Sequence, residues 1–244
     1  MNGDRWTSHD GRTTIYHADA REFLPTLADA SVDAFVTDPP FGIAKGAAFV
    51  RGDTSTIGDG DEPMNNCDGD PFFYVPEVAR AVTLGGHLAA FYGRNRDEAF
   101  FEALRANGLT RWIDFYLVNN SPPPTPRPTF ASAVQVCACA TKPGATRRWF
   151  GGGATSNAWI GAPVTRLPTA TGHTAEKPVA CMEQLIRALS PVGGMVCDPF
   201  LGSGTTAVAC VALGQRFVGC EREREWFEKA CARVERHCAQ GRLF

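Results

Sequence analysis

Nowhere in the 244 residues does a run of 18 apolar side chains occur, and no charged-then-apolar leader opens the chain. The expectation is therefore a cytoplasmic protein, with neither a membrane-spanning helix nor Sec-type export. Zinc-knuckle spacing is missing too. Nine cysteines are present, but the nearest pair, Cys137 and Cys139, is separated by one residue rather than two. Most lie in apolar stretches (Cys181, Cys197, Cys210, Cys220, Cys231), which predicts reduced, buried thiols and no metal site.

Acid is absent where base is concentrated. Between Asp114 and Glu176 there is no Asp or Glu, yet Arg127, Lys142, Arg147, Arg148 and Arg166 all fall there. The reverse holds from Gly52 to Asp70, with six acids and no Lys or Arg. The net charge of −2 thus hides a segregated distribution, and a polyanion responds to the face it meets rather than to the total.

Internal repeats and low-complexity tails are lacking, and what is present is an alternation of short helices with apolar strands. Strands are predicted at "TTIYHADA", "VDAFVTD", "GGHLAAFYG", "TRWIDFYLVNN", "ASAVQVCACAT", "GGMVCDPF" and "QRFVGCE". Helices are predicted near "REFLPTLA", "PFFYVPEVARAV", "RDEAFFEALRANG", "EKPVACMEQLIRALS", "TTAVACVALG" and "EREWFEKACARVERHC", with Pro178 in the first turn of the fourth. Such alternation implies a mostly parallel sheet covered on both faces. Residues 42–70, rich in Gly, Asp and Asn, read as a loop. The rhythm runs through residues 1–118, breaks over 119–172 and resumes over 173–244. The middle stretch, with Pro122 to Pro124 and "RRWFGGGATSNAWIG", is the candidate for an inserted recognition segment.

Two strand ends carry unusual punctuation. In "VDAFVTDPPF" an apolar strand stops at Asp38, then Pro39 and Pro40 remove two backbone donors and fix two φ angles before Phe41. In "MVCDPFLGSGTTAVAC" a strand, a glycine turn (Gly202, Gly204) and a helix follow one another, with Glu221 closing the next strand. That arrangement suits a ribose gripped through its hydroxyls. A phosphate-cradling loop would need Lys after Gly204, where Thr205 stands. Taken alone, the turn still admits a nicotinamide site, a purely structural bend, or an adenosine cofactor without a pyrophosphate.

Together the two motifs resemble the S-adenosylmethionine-dependent amino-methyltransferases of DNA. "TDPPF" (Thr37 to Phe41) matches their catalytic motif, "DPFLGSGTT" (Asp198 to Thr206) their cofactor loop, and "HTAEKP" (His173 to Pro178) the segment before that loop. The order, catalytic motif first and cofactor loop last, is similar to the family's β group. The resemblance implies a Rossmann-like α/β fold in circularly permuted motif order, with a mostly parallel seven-stranded sheet, helices on both faces and a small inserted recognition segment. Residues 1–118 would be the catalytic half, 119–172 the target-recognition insertion and 173–244 the cofactor-binding half. "GCERE" departs from the pattern, because members more often carry an apolar residue before the acid.

The chemistry explains the residue types. An exocyclic amine is a poor nucleophile because its lone pair is delocalised into the ring. Acceptors aimed at its two protons favour the pyramidal nitrogen of the transition state. Asp38 would supply one acceptor and a carbonyl of the Asp38-Pro39-Pro40 turn the other, while Phe41 stacks on a base swung out of the duplex. Cytosine C5 methylation uses an attacking thiolate, which the family of enzymes that performs it carries after a proline, and no cysteine here follows one.

By resemblance, Asp19 and the backbone of Ala20 would meet the cofactor's adenine, Glu221 its ribose, and Thr174 and Lys177 its methionine part. Asp38, Asp198, Phe200, Gly202, Ser203, Gly204, Thr205 and Thr206 complete the pocket. Blander readings stand beside these: Asp19 as a helix N-cap, Lys177 as a solvated helix-start lysine and Glu221 as a surface acid. Arg94, Arg96, Arg127, Arg147, Arg148 and Trp149 are candidates for DNA contact, against a plain basic loop with packed tryptophans. The expected cofactor is S-adenosylmethionine, leaving as S-adenosylhomocysteine, with no metal. The expected partner is double-stranded DNA, with a homodimer compatible and no membrane. Asp rather than Ser before Pro-Pro favours adenine N6, by resemblance, over cytosine N4. RNA or protein-amide methylation and a non-catalytic DNA-binding module are the remaining rivals.

Overall fold

The computed structural model describes residues 4–40, 70–93, 97–120, 133–144, 146–162, 171–172 and 176–240. A single sheet runs through the molecule. Its strands are β1 (Arg5–Thr7), β2 (Thr13–His17), β3 (Val32–Thr37), β4 (Val82–Tyr92), β5 (Thr110–Asn119), β6 (Val134–Thr141), β7 (Ala158–Gly161), β8 (Met195–Asp198) and β9 (Arg216–Glu221). The helices are α1 (Ala20–Phe23), α2 (Val75–Ala81), α3 (Asp97–Ala106), α4 (Val179–Leu189), α5 (Thr205–Ala212) and α6 (Arg224–Gln240).

The strand order is β1-β2-β9-β8-β3-β4-β6-β5-β7. Strands β2, β9, β8, β3 and β4 pair in parallel, whereas β6 is antiparallel to both of its neighbours. Central strands read as continuous apolar runs because both faces are covered: β3 buries every residue except the half-buried Asp33. One face is packed by α4, α5 and α6 through residues such as Ile186, Val208 and Val234. The other is packed by α1, α2 and α3 through Phe23, Val78 and Phe100. Gly108, at φ +73°, closes α3 in the left-handed conformation that glycine adopts without strain.

All seven strands expected from the sequence are present, and the described residues add two short edge strands, β1 and β7. Three and four residues long, they show too little alternation to be read from composition. Pro178 stands just before α4 in an extended conformation rather than inside its first turn. The 119–172 segment is not wholly an excursion: it supplies β6, paired between β4 and β5, and the edge strand β7. The eight described cysteines are free, and seven are buried. No helix among the described residues is long and apolar enough to cross a membrane.

The sheet reverses direction of travel between β8 and β3. From β8 the chain proceeds through α5 to β9 on one side; from β3 it proceeds through α2 to β4 on the other. Helices leaving on opposite faces open a crevice at the carboxyl ends of those two strands, the usual place for a ligand in an open α/β sheet.

Candidate active site

Both punctuated motifs end at that crevice. Asp38 follows the last residue of β3, and Asp198 is the last residue of β8, on the neighbouring parallel strand. Glu221 ends β9, and Asp19 lies two residues beyond β2; the amide of Ala18 donates to the Glu221 carbonyl (3.1 Å), holding those strand ends together. Four carboxylates therefore line the carboxyl ends of four adjacent strands, in the order Asp19, Glu221, Asp198, Asp38.

They are not equivalent. Asp198 is 2% exposed and its oxygens are already engaged. The Thr37 hydroxyl donates to Oδ1 (2.6 Å), the Thr206 hydroxyl to Oδ2 (2.6 Å) and the Phe200 amide to Oδ1 (3.1 Å). Burial pushes its pKa up to about 6, against the pull of those three donors. Asp198 is thus a strut between the residue before Asp38 and the first turn of α5. A cofactor would meet the chain around it.

Asp38 has the opposite character. Its Oδ2 accepts from the Lys177 ammonium, while Oδ1 is buried with no hydrogen-bond partner among the described residues. An orphaned carboxylate oxygen is costly to bury, so its position points to a donor that arrives with a ligand. Beside it, Pro39, Pro40, Pro71, Phe72, Tyr74, Phe91 and Tyr92 wall a small cleft with proline and aromatic surfaces. Phe200 packs edge-on to Tyr74, with ring centroids 5.4 Å apart, joining this cleft to the glycine turn.

The glycine turn is rigid from within. Gly202 and Gly204 adopt φ of +55° and +85°, and a Cβ on Gly204 would lie 3.0 Å from the Ala230 Cβ of α6. Glu221 accepts from the Gly202 amide (2.8 Å) through Oε2 and from the Glu223 amide (2.8 Å) through Oε1, so it braces the turn. Each carboxylate oxygen has a further lone pair for a ligand hydroxyl. The hydroxyls of Ser203 and Thr205 face inward to Arg233 of α6, which also donates to the Ser203 carbonyl (3.1 Å). Arg233 in turn pairs with the buried Glu176 (2.8 Å). Asp19 is the N-cap of α1, accepting from the Arg21 amide (2.8 Å), and Ala20 is buried behind it. The helix-cap reading of Asp19 is what its contacts show.

The remaining expected site residues fall into two groups. Phe41, Arg94, Arg96, Arg127 and Thr174 lie outside the described residues, as does most of the 42–70 loop. Arg147, Arg148 and Trp149 sit at the other end of the strands. Arg148 donates to Asp33 near the start of β3 (3.0 Å) and to Thr83 near the start of β4 (3.1 Å), and its amide bonds the Gly85 carbonyl (3.2 Å). Gly85 precedes Ala90, the partner of Thr37, by five residues, roughly 16 Å along a strand. Arg147 stacks on Trp112 at 4.0 Å, and Trp149 meets the same ring edge-on. The placement moves these three off the catalytic edge: Arg148 is an internal strut, while Arg147 and Trp149 rest on Trp112 and remain exposed.

Sequence reasoning missed Arg233, the strut role of Thr37, and the aromatic wall of Tyr74 and Phe91. Arg233 had a visible signal, a cation set into the buried stripe Phe227, Ala230, Cys231 and Val234 of α6.

A sequence profile described as "DNA methylase", for N6 and N4 amino-methyltransferases, matches residues 32–232, most of the chain and both motifs. The chain belongs to this N6/N4 DNA methylase family. Among relatives of the methylase, the Type II methyltransferase M2.DpnII of Streptococcus pneumoniae is 25% identical, covering 91% of this chain and 89% of its own. The crystal structure of an M1.HpyAVI–SAM complex superposes with a TM-score of 0.68 at 24% identity, over 91% of this chain and 99% of that one. The cytosine-N4-specific PvuII DNA methyltransferase gives 0.70 at 16% identity, over 96% and 93%. These two likenesses show the fold, a Rossmann-like α/β sheet.

Proposed function

We propose that this DNA methylase transfers a methyl group from S-adenosylmethionine to the N6 amine of adenine in double-stranded DNA. The observation that carries the reading is Asp38 Oδ1, an acceptor buried without a partner among the described residues at the Pro-Pro corner, one strand away from the glycine turn. The donor set suits the cofactor. Acidic groups along the strand ends match a sulfonium cation, and Glu221 retains lone pairs for a ribose. S-adenosylmethionine, when bound, supplies an electrophilic methyl.

The chain's own groups do the rest. Asp38 Oδ1 accepts a hydrogen bond from one N–H of the amine, and a carbonyl of the Asp38-Pro39-Pro40 turn accepts one from the other, which localises the nitrogen lone pair. The prolines keep these two oxygens in fixed relation, so little reorganisation accompanies the step. Pro40 and the half-buried rings of Phe72 and Tyr92 form the rim that a planar base out of its stack would meet, over the buried Tyr74 and Phe91. Asp19 and Ala20 border the far end of the crevice, where an adenine would lie.

Target recognition is assigned to residues 119–172, whose chain leaves the sheet on the catalytic side at Asn119 and rejoins it at Val134. The partner is duplex DNA, a homodimer is part of the reading, and sedimentation of the purified protein checks the latter. A restriction-modification setting is suggested by the Type II designation of M2.DpnII. The choice of adenine rests on Asp38 preceding Pro-Pro. Single-molecule sequencing of DNA from cells expressing the protein tests base and motif together: N6-methyladenine in one motif is expected, and N4-methylcytosine would transfer the reading to the family's other branch. Label appearing in RNA or protein but not in duplex DNA would overturn it.

A further inference from the structure

We propose that Lys177 is a positioning residue for Asp38, pinning one carboxylate oxygen so that the other faces the target amine; this rests on the reading given above. The two residues are 139 positions apart, yet the Lys177 ammonium donates to Asp38 Oδ2. The pair is largely shielded, with side chains 6% and 18% exposed, and the ammonium lies 4.9 Å from the centre of the fully buried Phe91 ring. Oδ1 has no partner among the described residues. One oxygen is therefore held and the other is left as an acceptor, a division that a freely rotating carboxylate would not maintain.

The chain around Lys177 is built to keep it there. Glu176 is fixed by Arg233 (2.8 Å) and by the Thr171 amide and hydroxyl (2.8 and 2.6 Å). Pro178, on the other side, is extended and leads into α4. Arg233 also grips Ser203 and Thr205, so the segment presenting the ammonium is tied to the glycine turn. Charge gives a second reason. Asp38 closes a row of carboxylates on adjacent strands, and a buried acid there needs a compensating cation. Lysine suits the task because its compact ammonium can occupy one oxygen without the two-pronged grip that arginine takes on both.

The test uses the full chain and the variants K177M, K177R and K177Q. Cofactor affinity is measured by calorimetry with S-adenosylmethionine alone, and single-turnover methylation of duplex DNA at saturating cofactor. The expected result is a dissociation constant within about threefold of wild type for every variant. The K177M rate should fall by about 100-fold or more, the size of losing one oriented hydrogen-bonding group in a transition state. K177Q keeps a neutral donor to one oxygen and should recover about tenfold over K177M, whereas K177R, whose guanidinium would take both oxygens, should stay about 100-fold below wild type. These two variants decide the question if K177M does not fold. A dissociation constant weakened 30-fold or more, with a rate at saturating cofactor within threefold of wild type, would overturn the inference and make Lys177 a cofactor ligand. Wild-type activity with all variant rates within threefold would overturn it alone. Wild-type protein that methylates no duplex would overturn both it and the functional reading.

Discussion

Replacing Asp198 with Asn removes a buried charge while keeping the shape of the strut. Its folded pKa of about 6 stands some 2 units above the ordinary value of 3.8, because burial penalises the anion more than Thr206, Thr37 and the Phe200 amide favour it. At about 1.4 kcal/mol per unit, ionised Asp198 costs the folded state about 3 kcal/mol. The sign follows from proton binding. Below pH 3.8 the group is protonated in both states and exacts nothing. As pH rises, the unfolded chain releases its proton first, so stability is lost progressively until the folded group ionises near pH 6, and the loss is constant above that. Urea unfolding of wild type and D198N between pH 3.5 and 7.5, followed by tryptophan fluorescence, isolates this group, since every other carboxylate is common to both proteins. Asn presents one acceptor where Asp has two, so one threonine hydroxyl must reverse, but that offset does not vary with pH. Wild type should lose about 3 kcal/mol relative to D198N across the window. A difference that is flat within about 0.5 kcal/mol, or that grows in favour of wild type with rising pH, would refute the account of Asp198 as a desolvated strut.

Three further outcomes follow from the same contacts. Asp38→Ala should lower methyl transfer by at least about 100-fold while cofactor affinity, read by calorimetry, changes little; parallel loss of both would place Asp38 in the cofactor pocket instead. Gly204→Ala combines a φ of +85° with a Cβ 3.0 Å from Ala230, and should destabilise the fold by roughly 2–4 kcal/mol in chemical denaturation. Arg233→Met leaves Glu176 buried without its cation and should lower the melting temperature by roughly 10 °C, with R233M/E176L recovering most of the loss in a thermal melt.

The legible parts of the sequence were those whose cause is local. The strands β3 and β8 announce themselves by continuous apolar runs, and their ends by Pro-Pro and by glycines, because each signal acts on the backbone that carries it. Partners distant in the chain were not legible. Asp198 reads as a pocket acid from its motif, yet its oxygens are engaged by Thr37, 161 residues earlier, and Thr206. Arg148 reads as a phosphate tracker in a basic, acid-free stretch, until Asp33, 115 residues earlier, is seen to hold it. Composition counts charges within a segment, whereas folding pairs them across the sheet.

That distinction also explains how the catalytic motif can precede the cofactor loop without harm to the site. What the site requires is that β3 and β8 be neighbours, that their exits diverge to opposite faces, and that something lock the two corners together. Adjacency comes from the sheet order, divergence from α2 and α5, and the lock from Thr37–Asp198–Thr206 with Lys177–Asp38 beside it. None of these depends on which strand is made first. Connections can be re-routed around the sheet as long as these side-chain struts still meet, so the hydroxyls and carboxylates of the two motifs are under structural demand even where they touch no ligand. In this chain the glycine turn's Ser203, Thr205 and Thr206 all serve the interior, which leaves its backbone as the surface a cofactor would meet.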